Sequence, residues 1–161
     1  MRHHGPPEVI LSWRRRRMTY MRLQETRQID RPLEEVFAFT ADFANAEKWD
    51  PGVSTSRRVG NGPAGVGSRY DVMVSFGSRE MPMTYEVTEW EPNARVVLVG
   101  SGETVEAVDE INFEARGGGT VVHYVADLDF TNWIRFLGPL MAPLLVRVGR
   151  RALDGLVETL E

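Results

Sequence analysis

Asp109 is the residue whose position in the sequence most suggests chemistry. It alternates in phase with Ala107, Ile111 and Phe113, and this period-two pattern predicts that its carboxyl lies on the apolar face of a strand. An unpaired carboxylate on a buried face is costly, and burial would raise its pKa. Such a group could act as a general acid or base or anchor a ligand. Alternatively, a bulge in the strand or a position at the mouth of a pocket would leave it solvated.

Two tyrosines on other predicted strands could act together with this carboxyl. Tyr85 follows Met81 and Met83 on one alternating face, and Tyr124 lies on the apolar face of the last predicted strand. Each ring offers an apolar surface and a hydroxyl that can donate or accept a hydrogen bond. If the protein is an enzyme, we expect Asp109, Tyr85 and Tyr124 to be its catalytic groups. The alternative for each tyrosine is an ordinary place in the core.

Metal and nucleophile chemistry find little support in the sequence. His123 is the only histidine after residue 20, the chain has no cysteine, and the alternation places His123 on the outer face of its strand. The usual ligand sets of zinc and iron sites are therefore not expected. Ser75 has no supporting spacing to His123, and Gly60–Gly67 lacks the lysine of a phosphate-binding loop. We expect no metal and no cofactor.

The elements that position these groups follow a simple order along the chain. A first strand is predicted over Arg22–Asp30, then a helix that begins at Arg31-Pro32, and a second short helix over Asp42–Pro51. After residue 52 the apolar pattern has period two with short turns, which predicts an antiparallel meander. Its predicted strands are Ser54–Val59, Ser68–Phe76, one from Met81 that ends at Trp90–Asn93, Arg95–Val99, Val105–Phe113 and Thr120–Phe130.

The C-terminal segment Asn132–Leu160 returns to helical spacing. Asn132 is expected to cap this helix, and Pro139 and Pro143 predict that its regular part begins near Leu140. About 20 residues of helix span roughly 30 Å, enough to cross the concave face of a sheet. The apolar stripe consists of Leu137, Met141, Leu144, Val148, Ala152, Leu156 and Leu160.

Composition sets the limits within which this order is interpreted. The 161 residues fit one domain, over residues 21–161, and no apolar run approaches the ~20 residues that span a bilayer. The absence of cysteine excludes disulfides and thiolate catalysis and makes a reducing cytoplasm the expected location.

Residues 1–20 contain five arginines and one glutamate without periodicity, and we interpret them as a disordered basic tail or a mis-assigned start. The acidic remainder argues against a nucleic-acid partner.

Four stretches, in this order and spacing, give the sequence a resemblance to a known family. The stretches are Arg31–Phe37 with Asp42-Phe43 and Trp49–Pro51, then Gly67–Tyr70, then Glu86–Pro92, and finally Gly118–Val122 with the apolar helix that ends at Leu156–Glu161. With these stretches the sequence resembles the START-like (SRPBCC, helix-grip) superfamily and, within it, the polyketide cyclase/dehydrase-like group.

The resemblance implies an α+β helix-grip fold, in which about seven antiparallel strands wrap around the C-terminal helix and leave an apolar tunnel. Relatives use such a tunnel for lipids, quinones, hormones or polyketides; some are enzymes and many only bind. Trp49 resembles the tryptophan that closes one end of the pocket in relatives, although a purely structural role is equally compatible. The expected ligand-binding residues are Trp49, Tyr70, Val72, Met83, Tyr85, Asp109, Ile111, Tyr124, Met141 and Leu144.

Three functions remain open at this point. The first is binding of a small hydrophobic molecule such as a lipid, a quinone or a polyketide. The second is a polyketide cyclase or dehydratase, in which tyrosine hydroxyls polarise a carbonyl and a carboxylate moves the proton. The third is a protein-interaction module on the same fold. An enzyme needs an inward acid/base pair, a carrier needs an enclosed apolar space, and an interaction module can have a filled interior. The ligand and the oligomeric state, monomer or homodimer, stay open.

Overall fold

The structure, a computed structural model, describes residues 20–131 and 136–161. Residues 1–19 of the predicted tail and the predicted cap Asn132 lie outside this range. The described strands are β1 (Tyr20–Ile29), β2 (Val53–Val59), β3 (Arg69–Phe76), β4 (Arg79–Glu91), β5 (Arg95–Gly102), β6 (Val105–Arg116) and β7 (Gly119–Phe130). The described helices are α1 (Leu33–Ala41), α2 (Ala46–Trp49), which follows a 3₁₀ turn at Phe43–Asn45, and α3 (Gly138–Leu160).

The strands form one antiparallel sheet in the order β1-β7-β6-β5-β4-β3-β2. Strands β2 to β7 are sequential neighbours: a nine-residue loop joins β2 to β3, and turns of two or three residues join the strands from β3 to β7. Strand β1 pairs with β7 to complete the sheet. The α+β helix-grip fold expected from the sequence is therefore confirmed, with two short helices after the first strand and one long C-terminal helix.

Burial alternates along the strands, and a bulge in β4 changes the phase. Met83, Tyr85 and Val87 are buried on the inner face, and the register between β4 and β5 then shifts between Val87 and Glu89. After this bulge the inner position falls to Trp90, whose ring packs edge-on against Phe37 of α1 at a centroid distance of 5.2 Å. The shift lets α1 close one end of the hollow formed by the curved sheet.

Helix α3 packs on β1 and α2 through the buried residues of its second half, among them Leu153, Leu156 and Leu160. It begins at Gly138, two residues before the start predicted from the sequence. Pro139 is accepted because the first helical turn needs no N–H donor, and Pro143 lies inside the helix. Within the described ranges, no helix has both the length and the apolar character needed to cross a bilayer.

Candidate functional site

A cavity of about 530 Å³ lies between the inner face of the sheet and α3. Its walls come from β3, β4, β6 and β7, with one residue each from β1 and β2, from the segments before and after α2, and from α3 as far as Ala152. Most of the side chains that line it are aliphatic, aromatic or thioether groups, for example Phe43, Val72, Met81, Met83, Leu128 and Met141. The sheet and the helix thus border a partly open space whose walls are mainly apolar.

Asp109 points into this cavity from the middle of β6 and is only 3% exposed. Strand β6 pairs with β5 and β7 without a register shift, so the alternation read from the sequence persists along the strand. A bulge or a solvated position, the alternatives left open by the sequence, does not occur here. The strand therefore holds a carboxyl inside an apolar hollow.

Two phenols share the environment of the Asp109 carboxyl. Tyr85 reaches it from β4 and Tyr124 from β7, and all three residues line the cavity. Burial raises the pKa of Asp109 to about 7, although hydrogen bonds from Tyr124 and Tyr85 favour the charged form and oppose this shift. Burial and the negative charge of Asp109 raise the pKa of both phenols well above the ordinary value, so they remain protonated donors.

Asp50 is a second carboxyl on the cavity wall, and sequence reasoning missed it. It follows α2, and its Oδ1 accepts a hydrogen bond of 2.8 Å from the backbone N–H of Gly52. Burial raises its pKa to about 6, and the Gly52 hydrogen bond opposes the shift. The segment Trp49–Gly52 is typical of a helix stop, and without strand or helix periodicity nothing in it indicates which way Asp50 points.

The structure brings six of the ten predicted ligand-binding residues together on the cavity wall. Three of the others lie in the surrounding core, and one is a surface residue. The residues on the wall are Val72, Met83, Tyr85, Asp109, Tyr124 and Met141; Trp49, Tyr70 and Ile111 are buried behind it, and Leu144 is 48% exposed on α3.

Trp49 and Tyr70 support the wall instead of forming it. Both rings pack edge-on against Phe43, which itself lines the cavity and also contacts Tyr85. The Tyr70 hydroxyl donates a hydrogen bond of 3.2 Å to Oδ1 of Asp42, which fixes it away from the cavity. These side chains position Phe43, and through it the ring of Tyr85.

Leu144 lies outside the cavity because the helical stripe turns in the first half of α3. Met141, Leu145 and Val148 face the cavity, and Leu145 is 6% exposed, in contrast to Leu144. The spacing of four residues between Met141 and Leu145 places both on one side of the helix, whereas the sequence stripe continued through the spacing of three to Leu144. Both spacings fit an apolar face, so the pattern alone did not decide between them.

His123 lies on the outer face of β7, as its alternation predicts. Its Nδ1 is 2.8 Å from the hydroxyl oxygen of Thr26 on β1, in an exposed pair remote from Asp109. Within residues 20–131 and 136–161, no group of three or more histidine, aspartate or glutamate residues could hold a metal ion.

The model of one protein family, described as polyketide cyclase/dehydrase and lipid transport, matches residues 20–161. No curated protein matches the chain.

Solved structures share the fold at low sequence identity. A protein from Thermus thermophilus has 20% identity and a TM-score of 0.75, with 87% of this chain and 97% of that one covered. A START superfamily protein from Mycobacterium smegmatis has 13% identity and a TM-score of 0.72, with coverage of 86% and 96%. The Zhui aromatase/cyclase from a Streptomyces species has 12% identity and a TM-score of 0.68, with coverage of 88% and 91%. At these identities the likeness concerns the fold alone.

Proposed function

Because the chain belongs to the polyketide cyclase/dehydrase and lipid transport family, we propose that it binds a small hydrophobic molecule between the sheet and α3. The observation that carries this proposal is the cavity of about 530 Å³. Pockets for small molecules typically measure about 300–1,000 Å³ and combine apolar walls with a few polar groups. Asp50, Asp109, Tyr85 and Tyr124 supply those polar groups here.

The apolar walls supply the driving force for binding. Each square ångström of apolar ligand surface removed from water contributes roughly 25 cal/mol. Met81, Met83 and Met141 line the cavity, and their flexible thioethers can adjust to the outline of a ligand at low cost. An interaction module on this fold would need no such space, and the cavity therefore favours a ligand-binding function over that alternative.

The arrangement around Asp109 favours one second candidate, a cyclase or dehydratase of polyketide type. A carboxyl whose pKa is about 7 can take up or release a proton near neutrality. In an aldol ring closure, Asp109 would remove a proton from the carbon between two carbonyls. The resulting carbanion would attack a distant carbonyl of the same chain, and Tyr85 or Tyr124 would donate a hydrogen bond to the developing oxyanion.

Titration with the uncharged fluorescent probe N-phenyl-1-naphthylamine tests the binding function. The wild-type protein should bind it saturably. Met141→Trp places an indole in the cavity and should abolish binding, whereas Leu144→Trp adds the same group on the exposed side of α3 and should leave it intact. Absence of saturable binding, or equal effects of the two variants, would contradict the proposal.

A separate experiment distinguishes the enzyme from the carrier. Incubation with a poly-β-ketone thioester, followed by mass spectrometry, should give a dehydrated or cyclised product if the second candidate is correct. Asp109→Asn should then stop product formation while the probe still binds. If the protein binds the thioester and the thioester stays chemically unchanged, the enzyme function is contradicted and the carrier function is supported.

A further inference from the structure

The charges on the cavity wall are unequally distributed. Asp109 and Asp50 face the interior, whereas Arg79, the one basic side chain among the described wall residues, is exposed in the β3–β4 hairpin at the rim. Helix α3 contributes only apolar groups and Gly149 to the wall. The interior therefore presents two carboxyls, and the one basic side chain of the described wall lies at the rim.

The neighbouring charged groups do not compensate these carboxyls. Tyr85 and Tyr124 lie close enough to Asp109 to lower its pKa, but they carry no positive charge. The negative charges of Asp50 and Asp127 both oppose ionisation of Asp109, and Asp127 is itself bonded to Arg22 at 2.7 and 2.8 Å.

On β1, Leu23 lines the cavity, and Glu25, which is in phase with it along the strand, is already paired with Arg27 and Arg150. A cationic ligand would therefore supply the counter-charge that the described residues of the interior do not place beside Asp109.

We propose that the cavity selects apolar molecules that carry a protonated amine, with Asp109 as the counter-ion and Asp50 as a second negative charge. This inference rests on the proposed function, since it specifies the ligand of the same cavity. A charge-assisted hydrogen bond in an apolar site is roughly twice as strong as a neutral one. An amine thus gains more binding free energy from Asp109 than an alcohol of the same length does. A fatty-acid carboxylate is repelled by the negative charges of Asp109 and Asp50.

A matched ligand series tests the selectivity. Decylamine, decanol and decanoate share one chain length and differ in their polar end, and each is titrated at pH 7 against bound N-phenyl-1-naphthylamine. Decylamine should displace the probe at a concentration at least about tenfold lower than decanol, and decanoate should be the weakest. Asp109→Asn should reduce the advantage of decylamine over decanol to less than about threefold.

Glu106→Gln provides the control, because it removes an exposed carboxylate from the same strand. It should preserve the advantage of decylamine. If decanol or decanoate binds wild-type protein as tightly as decylamine does, the proposed selectivity is wrong although the cavity binds apolar ligands. If neither the probe nor any of the three ligands binds saturably, the proposed function itself fails. The wild-type series decides between these outcomes even if Asp109→Asn does not fold.

Discussion

Gly100 lies opposite Tyr85 on the neighbouring strand, and its lack of a side chain leaves the space that the tyrosine ring occupies. A Cβ atom at Gly100 would lie 2.6 Å from both Cε1 and Cζ of Tyr85. Because β5 lies between β4 and β6, the ring must cross β5 to bring its hydroxyl to Asp109. The glycine is thus the position at which the sheet lets Tyr85 reach the carboxyl.

Gly100→Ala should therefore displace the ring of Tyr85. The buried ring has little room to move, and overpacking of this kind costs about 1–3 kcal/mol of unfolding free energy. Urea unfolding measures this loss. Gly65→Ala, where a Cβ would meet no atom within 4 Å, should be nearly neutral. In a Tyr85→Leu background the loss at Gly100 should shrink, and equal losses in both backgrounds would show that the ring is not the cause.

Two glycines of α3 should respond to alanine with opposite signs. A Cβ at Gly155 would lie 2.0 Å from the carbonyl oxygen of Trp49, whereas at Gly149 its nearest neighbour would be Cγ of Glu25 at 3.8 Å. Alanine favours a helix over glycine by about 1 kcal/mol, so Gly149→Ala should raise the melting temperature. Gly155→Ala should lower it, because α3 and α2 can no longer approach each other. Stabilisation by both substitutions would contradict the close contact between these helices.

Tyr70→Phe separates a supporting tyrosine from one on the cavity wall. The Tyr70 hydroxyl bonds to Asp42, and burial together with this carboxylate raises the pKa of Tyr70 to about 12. Its removal should cost about 1–2 kcal/mol in urea unfolding and leave the affinity for N-phenyl-1-naphthylamine within about twofold of wild type. A large loss of probe affinity with unchanged stability would instead place Tyr70 in the ligand site.

The alternation along the strands made much of the fold and part of the site predictable. Asp109 and Tyr124 point inward as expected because β6 and β7 pair without a register shift. The period-two pattern did not reveal the β4 bulge after Val87, because strict alternation continues the inner face from Val87 to Glu89, whereas the shifted register gives that face to Trp90. It also could not distinguish Tyr70 from Tyr85, because both face inward and only the packing of Phe43 places one of them behind the wall.

Residues outside periodic segments were the least predictable. Asp50 follows a helix of four residues, and its direction is set by the turn that bonds it to Gly52. The inner face of α3 after Met141 is similarly ambiguous, because the sequence pattern allows either Leu144 or Leu145 to point inward. The packing of the helix on β1 and α2 decides between them. The polar groups of the cavity thus depend on tertiary packing more than on local pattern.

The raised pKa of Asp109 makes the stability of the protein depend on pH in a definite direction. The pKa is about 7 in the folded state against an ordinary value of 3.8, so the folded state holds this proton more tightly than the unfolded chain does. The contribution of Asp109 to the free energy of unfolding is fully present below about pH 4. It is lost as the pH rises to about 7, and the loss amounts to roughly 4 kcal/mol at most. Asp109→Asn cannot ionise, so its stability relative to wild type should rise through this range and level off above it.

Urea midpoints of both proteins between pH 4.5 and 8.5 measure this difference in stability, with Glu106→Gln as the control. A difference that stays constant over this pH range would mean that Asp109 is charged throughout.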